Sequence, residues 1–541
     1  MRGVHMLAQI LKADENQNGF DQATDSFERL KNRLNSPITD NMTSSEIEKT
    51  IKEQGDNVNR LLYEATLNRI GSLQASTPVI GSDGVECSRK RLMERTIESR
   101  FGEVTYVRWG YKSKEGSSLF PADGHLNLPP EKYTLELRRW ISEDASKMSY
   151  DEAIADLSSK TSAKVPKRQG LELANRTTVD FVEFYDERAK DTANPCFIPN
   201  ENCKFVLLST DGKGVVMRPE GLREGTRKAA DKAAEKKLAT GREQSDILPG
   251  EKKDRKRMAQ VASVCNRGEH VRTPEEIVGV TPRVTGKKGK DPIPQNKRTW
   301  ASLAREPAEV IGEMFMEAHA RDPEHQKMWV ALVDGNKKQL ELLIENALAL
   351  GVMLTIVIDI IHVIEYIWKA AHVFYKEGDP QCGRFVSELV LQVLRGKSDQ
   401  VAKLLAEKAT ALELSKDKRK AVDKCTSYLT TYQQYLRYDQ YLAQGMPIAT
   451  GIIEGACRYL VKDRMDITGA RWGLPGGEAV LKLRSIRTNG DFDEYWRFHL
   501  KKERERNHES KYENGQLPPL KNYDDSPAGT KSERKLTIVS K

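Results

Sequence analysis

A mixed α/β fold is what this sequence predicts: a sheet flanked by helices, interrupted by an all-α insertion and preceded by a mainly helical region. Three observations predict it. From residue 203 to 378, short apolar runs of strand character alternate with helix-periodic stretches in the order β-β-β-α-β-α-β-α. Residues 379–447 carry helical periodicity and no strand-like run. The 541 residues are 38% hydrophobic and 31% charged, a globular balance in a chain too long for one core.

The elements follow in order. Residues 1–85 read as a helical N-terminal arm. "DSFERLKNRL" and "SSEIEKTIKEQGDNVNRLLYEATLNRI" space their apolar residues helically, and the second opens on S-x-E-I, an N-cap signal. Residues 86–200 read as a DNA-binding region. "RFGEVTYVRWGYKSKEGSSLF" (100–120) alternates like a hairpin. A helix expected after Ser149, a break and a second helix near 166–182 then match either a helix-turn-helix reader or a plain α-hairpin, with Lys167 and Arg168 on the second helix. The core's first part, 201–378, opens with "CKFVLLSTDGKGVVMR", a strand ending at Asp211. "RMAQVASVCNRG" and "KRTWASLA" are two more strands, and "KMWVALVDGN" and "VMLTIVID" end in Asp334 and Asp359. The helical insertion spans 379–447. The second part, 448–500, holds Glu454 on "GIIEGACRYLVKDRM", and 501–541 reads as a basic, disordered tail.

Charge and cysteine usage narrow the class. The net charge of +8 is mild, but "KKLATGREQSDILPGEKKDRKRM", "RVTGKKGK" and "RFHLKKERER" concentrate it. Such runs favour a polyanion partner, or are solvated helix surface. Seven scattered cysteines without C-x-x-C argue for a reducing compartment and against a disulfide framework or zinc ribbon. The start lacks a signal-peptide pattern, and the most apolar stretch, 351–375, contains Asp359, His362, Glu365, Lys369 and His372, so no membrane span is expected.

Asp211, Asp334 and Glu454 each end or open an element. If the fourth strand lies beside the first, Asp211 and Asp334 are one strand spacing apart, about 4.8 Å. A Glu from a helix crossing the sheet completes an oxygen-only set suited to two Mg²⁺ or Mn²⁺ ions, the arrangement that supports in-line displacement at phosphorus. Either "DG" alone is equally an ordinary turn. Arg458, Lys462, Arg464 and Arg471 recur on or after the Glu454 helix, to hold phosphates or to line a solvated face. His372 and Cys457 read as packing residues.

Taken together, "LLSTDGKGVVMR", "WVALVDGN", "VIDIIHVIEYIWKAAHVF", "GIIEGACRYLVKDRMDITGARWGLPGGEAVLKLRS" and "NGDFDEYWRFHLKKE" resemble bacterial insertion-sequence transposases of the DDE class, nearest the Kra-type group of the Mutator-like superfamily. The resemblance covers roughly residues 90–500. It implies an RNase H-like core, Asp211, Asp334 and Glu454 as the catalytic and metal-binding triad, and a bacterial cytoplasmic, nucleoid-associated enzyme. That enzyme would cut at terminal inverted repeats and join the freed 3′-hydroxyl to target DNA, working as a homodimer or larger assembly. In such groups an Asp-x-x-His motif follows the next strand, and Asp359 and His362 match it. Asp359 is expected about two strand spacings, on the order of 10 Å, from Asp211. The pair therefore reads as bracing behind the metal ligands, with two alternatives open: a buried pair without a role, or Asp359 as the second catalytic acid. The resemblance also places Trp472 where an aromatic can stack on a base, against the alternative of packing on the insertion. The rival functions are a catalytically inactive DNA-binding remnant and a non-transposing nuclease on the same core.

Overall fold

The computed structural model describes residues 19–114, 116–190, 203–240, 255–279 and 292–521. The first 18 residues, the end of the expected DNA-binding region (191–202), the basic runs at 241–254 and 280–291, and 522–541 of the expected tail lie outside them. The chain forms two compact units, Met1–Asp180 with Asp493–Lys541, and Phe181–Phe492. The boundaries expected at 200 and 500 thus fall at 180 and 492, and the arm and the expected DNA-binding region share one unit.

In the first unit, helix α1 (Ser44–Gly71) starts one residue earlier than S-x-E-I suggested. Thr43 caps it, accepting from the Glu46 amide while the Glu46 carboxylate accepts from the Thr43 amide. The helix packs Leu67 against Ile97, Val104 and Tyr106 of an antiparallel hairpin, β1 (Arg89–Ser99) and β2 (Gly102–Lys112). The hairpin turns at residues 100 and 101, so the stretch 100–120 supplies its second strand only. Its first strand, "RKRLMERTIES", is too charged to announce itself. A Cβ on Gly71 would lie 2.0 Å from the Val107 carbonyl oxygen, so no larger residue fits where α1 meets β2.

Helices α2 (Leu135–Ala145), α3 (Tyr150–Lys160) and α4 (Lys167–Thr177) close around Leu137, Ile141, Leu157 and Leu173. Ser149 caps α3 as expected; α4 stops five residues short of 182. The expected tail is ordered as far as it is described. The helix Phe492–Asn507 sends Glu503 to the buried Arg138, 2.7 Å away, and His499 to Asp180, 2.6 Å away. Leu520–Lys521 then pairs with Gln74–Ala75. Buried ion pairs rather than apolar periodicity fix this helix, and a highly charged sequence conceals them.

The second unit is built on a five-stranded mixed sheet in the order β5-β4-β3-β6-β7, where β3 is Phe205–Val216, β4 Lys256–Arg267, β5 Gln295–Ser302, β6 Met328–Val333 and β7 Leu354–Ile358. The β3–β4 and β4–β5 pairs are antiparallel, and β6 and β7 run parallel to β3 and to each other. The fourth strand does lie beside the first. Residues 205–208 and 330–333 are buried throughout, as a sheet covered on both faces requires. Strand β3 does not end at Asp211: it pairs with β4 through Val216, across Gly212 and Gly214.

Helices α5 (Pro307–Arg321), α6 (Lys337–Leu350) and α7 (Ile360–Phe374) follow β5, β6 and β7. On α5, the buried Glu317 is clamped by Arg298 and Arg321, each at 2.6 Å. The insertion is all helical, with α8 (Pro380–Leu394), α9 (Ser398–Ala411), α10 (Lys416–Thr431) and shorter turns. The chain returns through α11 (Gly451–Ala456), a π-helical turn at Cys457–Lys462, and α12 (Leu474–Asn489). No helix among the described residues is long and apolar enough to cross a membrane.

Candidate metal centre at the strand ends

Three parallel strands deliver three acids to one edge of the sheet. Ser209 and Leu332 are the last pair across β3 and β6, and the same register carried two residues further sets Asp211 opposite Asp334. Val333 pairs with Ile358 across β6 and β7, so one residue further on Asp334 faces Asp359. Neighbouring strands lie about 4.8 Å apart. The acids therefore form a row, but their surroundings differ.

Asp359 has no solvent exposure. It is the N-cap of α7: Oδ1 accepts from the Ile361 amide at 2.8 Å. Oδ2 accepts from the Thr450 amide at 3.1 Å and from the Thr450 hydroxyl. The Ile360 amide donates to the Ile448 carbonyl at 3.0 Å. These bonds tie the chain returning from the insertion to the end of β7, and α11 starts at the next residue. Glu454 is thereby set over the strand end. Asp359, His362 and Glu454 each offer a ligand atom, and these atoms all lie within 4.8 Å of one another. His362 shares this side because it stands three residues beyond Asp359, nearly one helical turn.

Asp334 is half-buried, and its Oδ1 accepts from the Asn336 amide at 3.1 Å. Gly335 turns the chain with φ +89°, and Asn336, not Asp334, caps α6. From the insertion, Tyr428 donates to the Asp334 carbonyl at 2.9 Å and Tyr432 to the Gly335 carbonyl at 2.6 Å. Burial, and then the negative charge of Asp334, push the Tyr428 phenol upward, so it stays a donor.

Asp211 is half-buried within β3 and accepts the Gly212 amide at 2.6 Å and the Cys457 thiol at 3.3 Å. Burial, and then Asp211, push that thiol's pKa up, which keeps it protonated as the bond demands. The return segment thus meets β7 at Thr450 and β3 at Cys457, spanning the row of acids.

The triad expected from the sequence is therefore not the group that gathers. Glu454 meets Asp359 and His362, while Asp211 and Asp334 stand outside that group. Nor is the Asp359–His362 pair behind the ligands; it is beside Glu454. The cause is local: the return segment hydrogen-bonds to the end of β7, not to that of β6, so its first acid lands there. Trp472 is 7% exposed, donates to the Met465 carbonyl and pairs with Met217, so its ring is packed within the unit. Arg464 is 2% exposed, with its guanidinium 4.9 Å from the Trp472 ring, and is no surface phosphate contact. Arg458 is exposed and 3.7 Å from Asp463, and Lys462 and Arg471 are exposed too. Lys167 and Arg168, on α4 of the other unit, are exposed and paired with Asp151 at 2.5 Å and Glu172 at 3.3 Å.

Sequence reasoning missed Thr450, Tyr428 and Tyr432, and read Cys457 as packing alone. Thr450 carried a signal: a Thr directly before "GIIE" is a helix-start residue. Cys457 carried a weaker one, three residues after Glu454 on the same helix. The tyrosines carried none, because only the fold of the insertion brings them to the loop after β6.

The residues fit a divalent cation. Asp359 is a buried carboxylate held by neutral donors, with no Lys or Arg ion pair among the described residues. A buried charge of that kind calls for a counter-charge. Two carboxylates and an imidazole form a mixed O,O,N set, which suits Mn²⁺ or another transition ion better than Mg²⁺. A scan against models of known protein families and a search among curated proteins find no match to the chain.

Proposed function

We propose that the chain is a metal-dependent DDE-type transposase with an RNase H-like core, which cleaves DNA at transposon ends and joins those ends to target DNA. The observation that carries this reading is the row of Asp211, within β3, and Asp334 and Asp359, just past the ends of β6 and β7, with Glu454 brought beside Asp359 after an all-helical insertion. The strand order, with the first strand central and the second antiparallel to it, supports the same core. Divalent ions at such carboxylates stabilise the attacking and leaving oxygens of a displacement at phosphorus.

The chain's own residues do the placing. Thr450 fixes both Asp359 and the start of α11, so the helix that carries Glu454 cannot drift from the strand ends. Cys457 pins the far end of the same segment to Asp211. Tyr428 and Tyr432 hold the loop behind Asp334. In the first reaction, water forms a bond to phosphorus and the bond to the 3′ oxygen breaks, leaving a 3′-hydroxyl. In the second, that hydroxyl attacks a target phosphodiester and displaces the target's own 3′ oxygen. No Ser or Tyr nucleophile is needed. Two ends must be held at once, which favours a dimer or larger assembly, with Lys167 and Arg168 on the unit assigned to end binding.

The second reading narrows the site to one ion at Asp359, His362 and Glu454, favoured by their mutual approach. A nicking assay tests both, using the full chain, Mg²⁺ or Mn²⁺, and DNA bearing the inverted repeats that flank the gene. We expect nicks at the repeat ends that leave 3′-hydroxyls, followed by strand transfer. Glu454→Gln should lower the rate by about 100-fold or more. Equal losses in Asp211→Asn and Asp334→Asn support the extended row. Loss in Asp359→Asn with activity kept in Asp334→Asn supports the single ion. A wild-type chain that nicks no DNA with either metal defeats the proposal and leaves the inactive DNA-binding remnant.

A further inference from the structure

We propose that the helical insertion holds a DNA strand in a lysine-lined cleft beside the candidate metal centre, an inference that rests on the DNA-cleaving reading above. The cleft has a volume of about 680 Å³ and lies between the start of α6, the middle of α7 and one face of α10. Lys416, Lys420 and Lys424 line it from α10. They stand at i, i+4 and i+8, so they form a row along one helix face. Lys337, the first residue of α6, joins them. None of these four makes an ion pair among the described residues. By contrast, Lys403 on α9 lies 3.9 Å from Glu407, and Lys408 rests 4.9 Å from the Tyr375 ring. Two acids also line the cleft, but Asp423 is engaged by Arg419 at 2.9 Å, so the lining keeps a cationic excess.

The cleft's position gives the row its meaning. Its floor is Tyr428 and Tyr432, whose hydroxyls hold the carbonyls of Asp334 and Gly335. Tyr366 stacks on Tyr428 at 4.2 Å and stands four residues after His362 on α7. The cleft thus backs onto the loop that follows β6 and carries Asp334. A line of unpaired cations, one helical turn apart, matches a polyanion whose charges also repeat along a line. A small single anion would leave most of the row unused. Tyr366, half-buried and stacked over Tyr428, is the ring placed to meet a base exposed from one strand.

The test uses the full chain in EDTA, where nicking is off, and a fluorescent single-stranded 20-mer alongside the duplex of the same sequence. The variant K416A/K420A/K424A alters exposed side chains only, and its unfolding midpoint should match the wild type's. We expect its affinity for the single strand to fall by about tenfold or more, and the slope of log affinity against log salt to flatten by about 2, from three contacts at roughly 0.7 each. The Lys403→Ala control should bind as the wild type does. Photo-crosslinks from iodouracil in the wild-type complex should map to α7 and α10 peptides. Unchanged affinity and slope in the triple variant, or crosslinks confined to other segments, overturn the inference. Lysine-dependent binding by a chain that never nicks would leave the cleft standing and defeat the catalytic reading. Nicking with lysine-independent binding would defeat the cleft alone.

Discussion

Glu317 and Asp359 are two buried carboxylates of the same unit, 4% and 0% exposed, and they are finished in different ways. Glu317 lies between two guanidiniums. Burial alone would raise its pKa, but Arg298 and Arg321 outweigh burial and hold it down at about 2. Asp359 has two backbone amides and a hydroxyl instead, and its ionisable neighbours are His362 and another acid, Glu454. Burial of an acid therefore does not mark a site. What marks it is a buried acid whose permanent counter-ion the chain has withheld.

The difference can be broken at either end. The largest effect is expected at the finished one: Glu317→Gln leaves the buried Arg321 without its carboxylate and Arg298 with Glu313 alone, at 3.1 Å, and should cost about 3–5 kcal/mol in chemical denaturation. A variant as stable as the parent would mean that the arginines find other partners. Next comes Asp359→Ala, which orphans the amides of Ile361 and Thr450 and should cost roughly 1–3 kcal/mol. Asp359→Asn keeps the helix cap, since Asn serves there as well as Asp, and should cost less. Both changes remove the charge. At a hundred times its Kd, Mn²⁺ should therefore stabilise the wild type by about 2.7 kcal/mol and neither variant. A gain that survives in both would move the ion to Asp334 and Asp211.

Acid sharpens the same contrast. Glu317's pKa is depressed in the folded chain, so its contribution is fully present above the unfolded carboxyl pKa and drains away as pH falls toward 2. Between pH 5 and pH 3 the wild type should lose about 2 kcal/mol on this account. Glu317→Gln should show a flatter acid limb, and an identical limb in both proteins would count against the arginine clamp. The smallest effect is expected at His362, which is only half-buried. Calorimetric titration of His362→Ala should show Mn²⁺ affinity down by about tenfold with the unfolding midpoint nearly unmoved. Undiminished affinity would place the imidazole outside the coordination set.

The sheet was legible because its strands are apolar runs closed by turn residues, as at "KMWVALVDGN" and "VMLTIVID". The insertion was legible because nothing in it alternates. The candidate metal centre was legible in its acids and not in their grouping. That grouping depends on where the return segment is tied, and the Thr450–Asp359 bond joins residues 91 apart. Arg464 and Trp472 were misread for a related reason. A cation near a helix end looks like surface, and only packing shows that it covers an indole. In the other unit, "RKRLMERTIES" is a strand whose periodicity its own charges mask, and α1 found its true cap one residue before the expected one.

The π-helical turn at Cys457–Lys462 lets this part of the chain absorb one residue of length. Such a turn carries its hydrogen bonds from i to i+5, one residue wider than its neighbours. Deleting one residue there would restore a regular helix and leave its two halves nearly in phase, since five residues of the wide turn cover about the arc that four cover in an α-helix. Leu460 and Val461, locked in the core, and Glu454, over the strand ends, would keep their faces. A point substitution in this turn changes a contact. A related chain with a one-residue gap between 457 and 462 can therefore keep its acid over the strand ends, and a longer gap or an insertion is what turns the acid away.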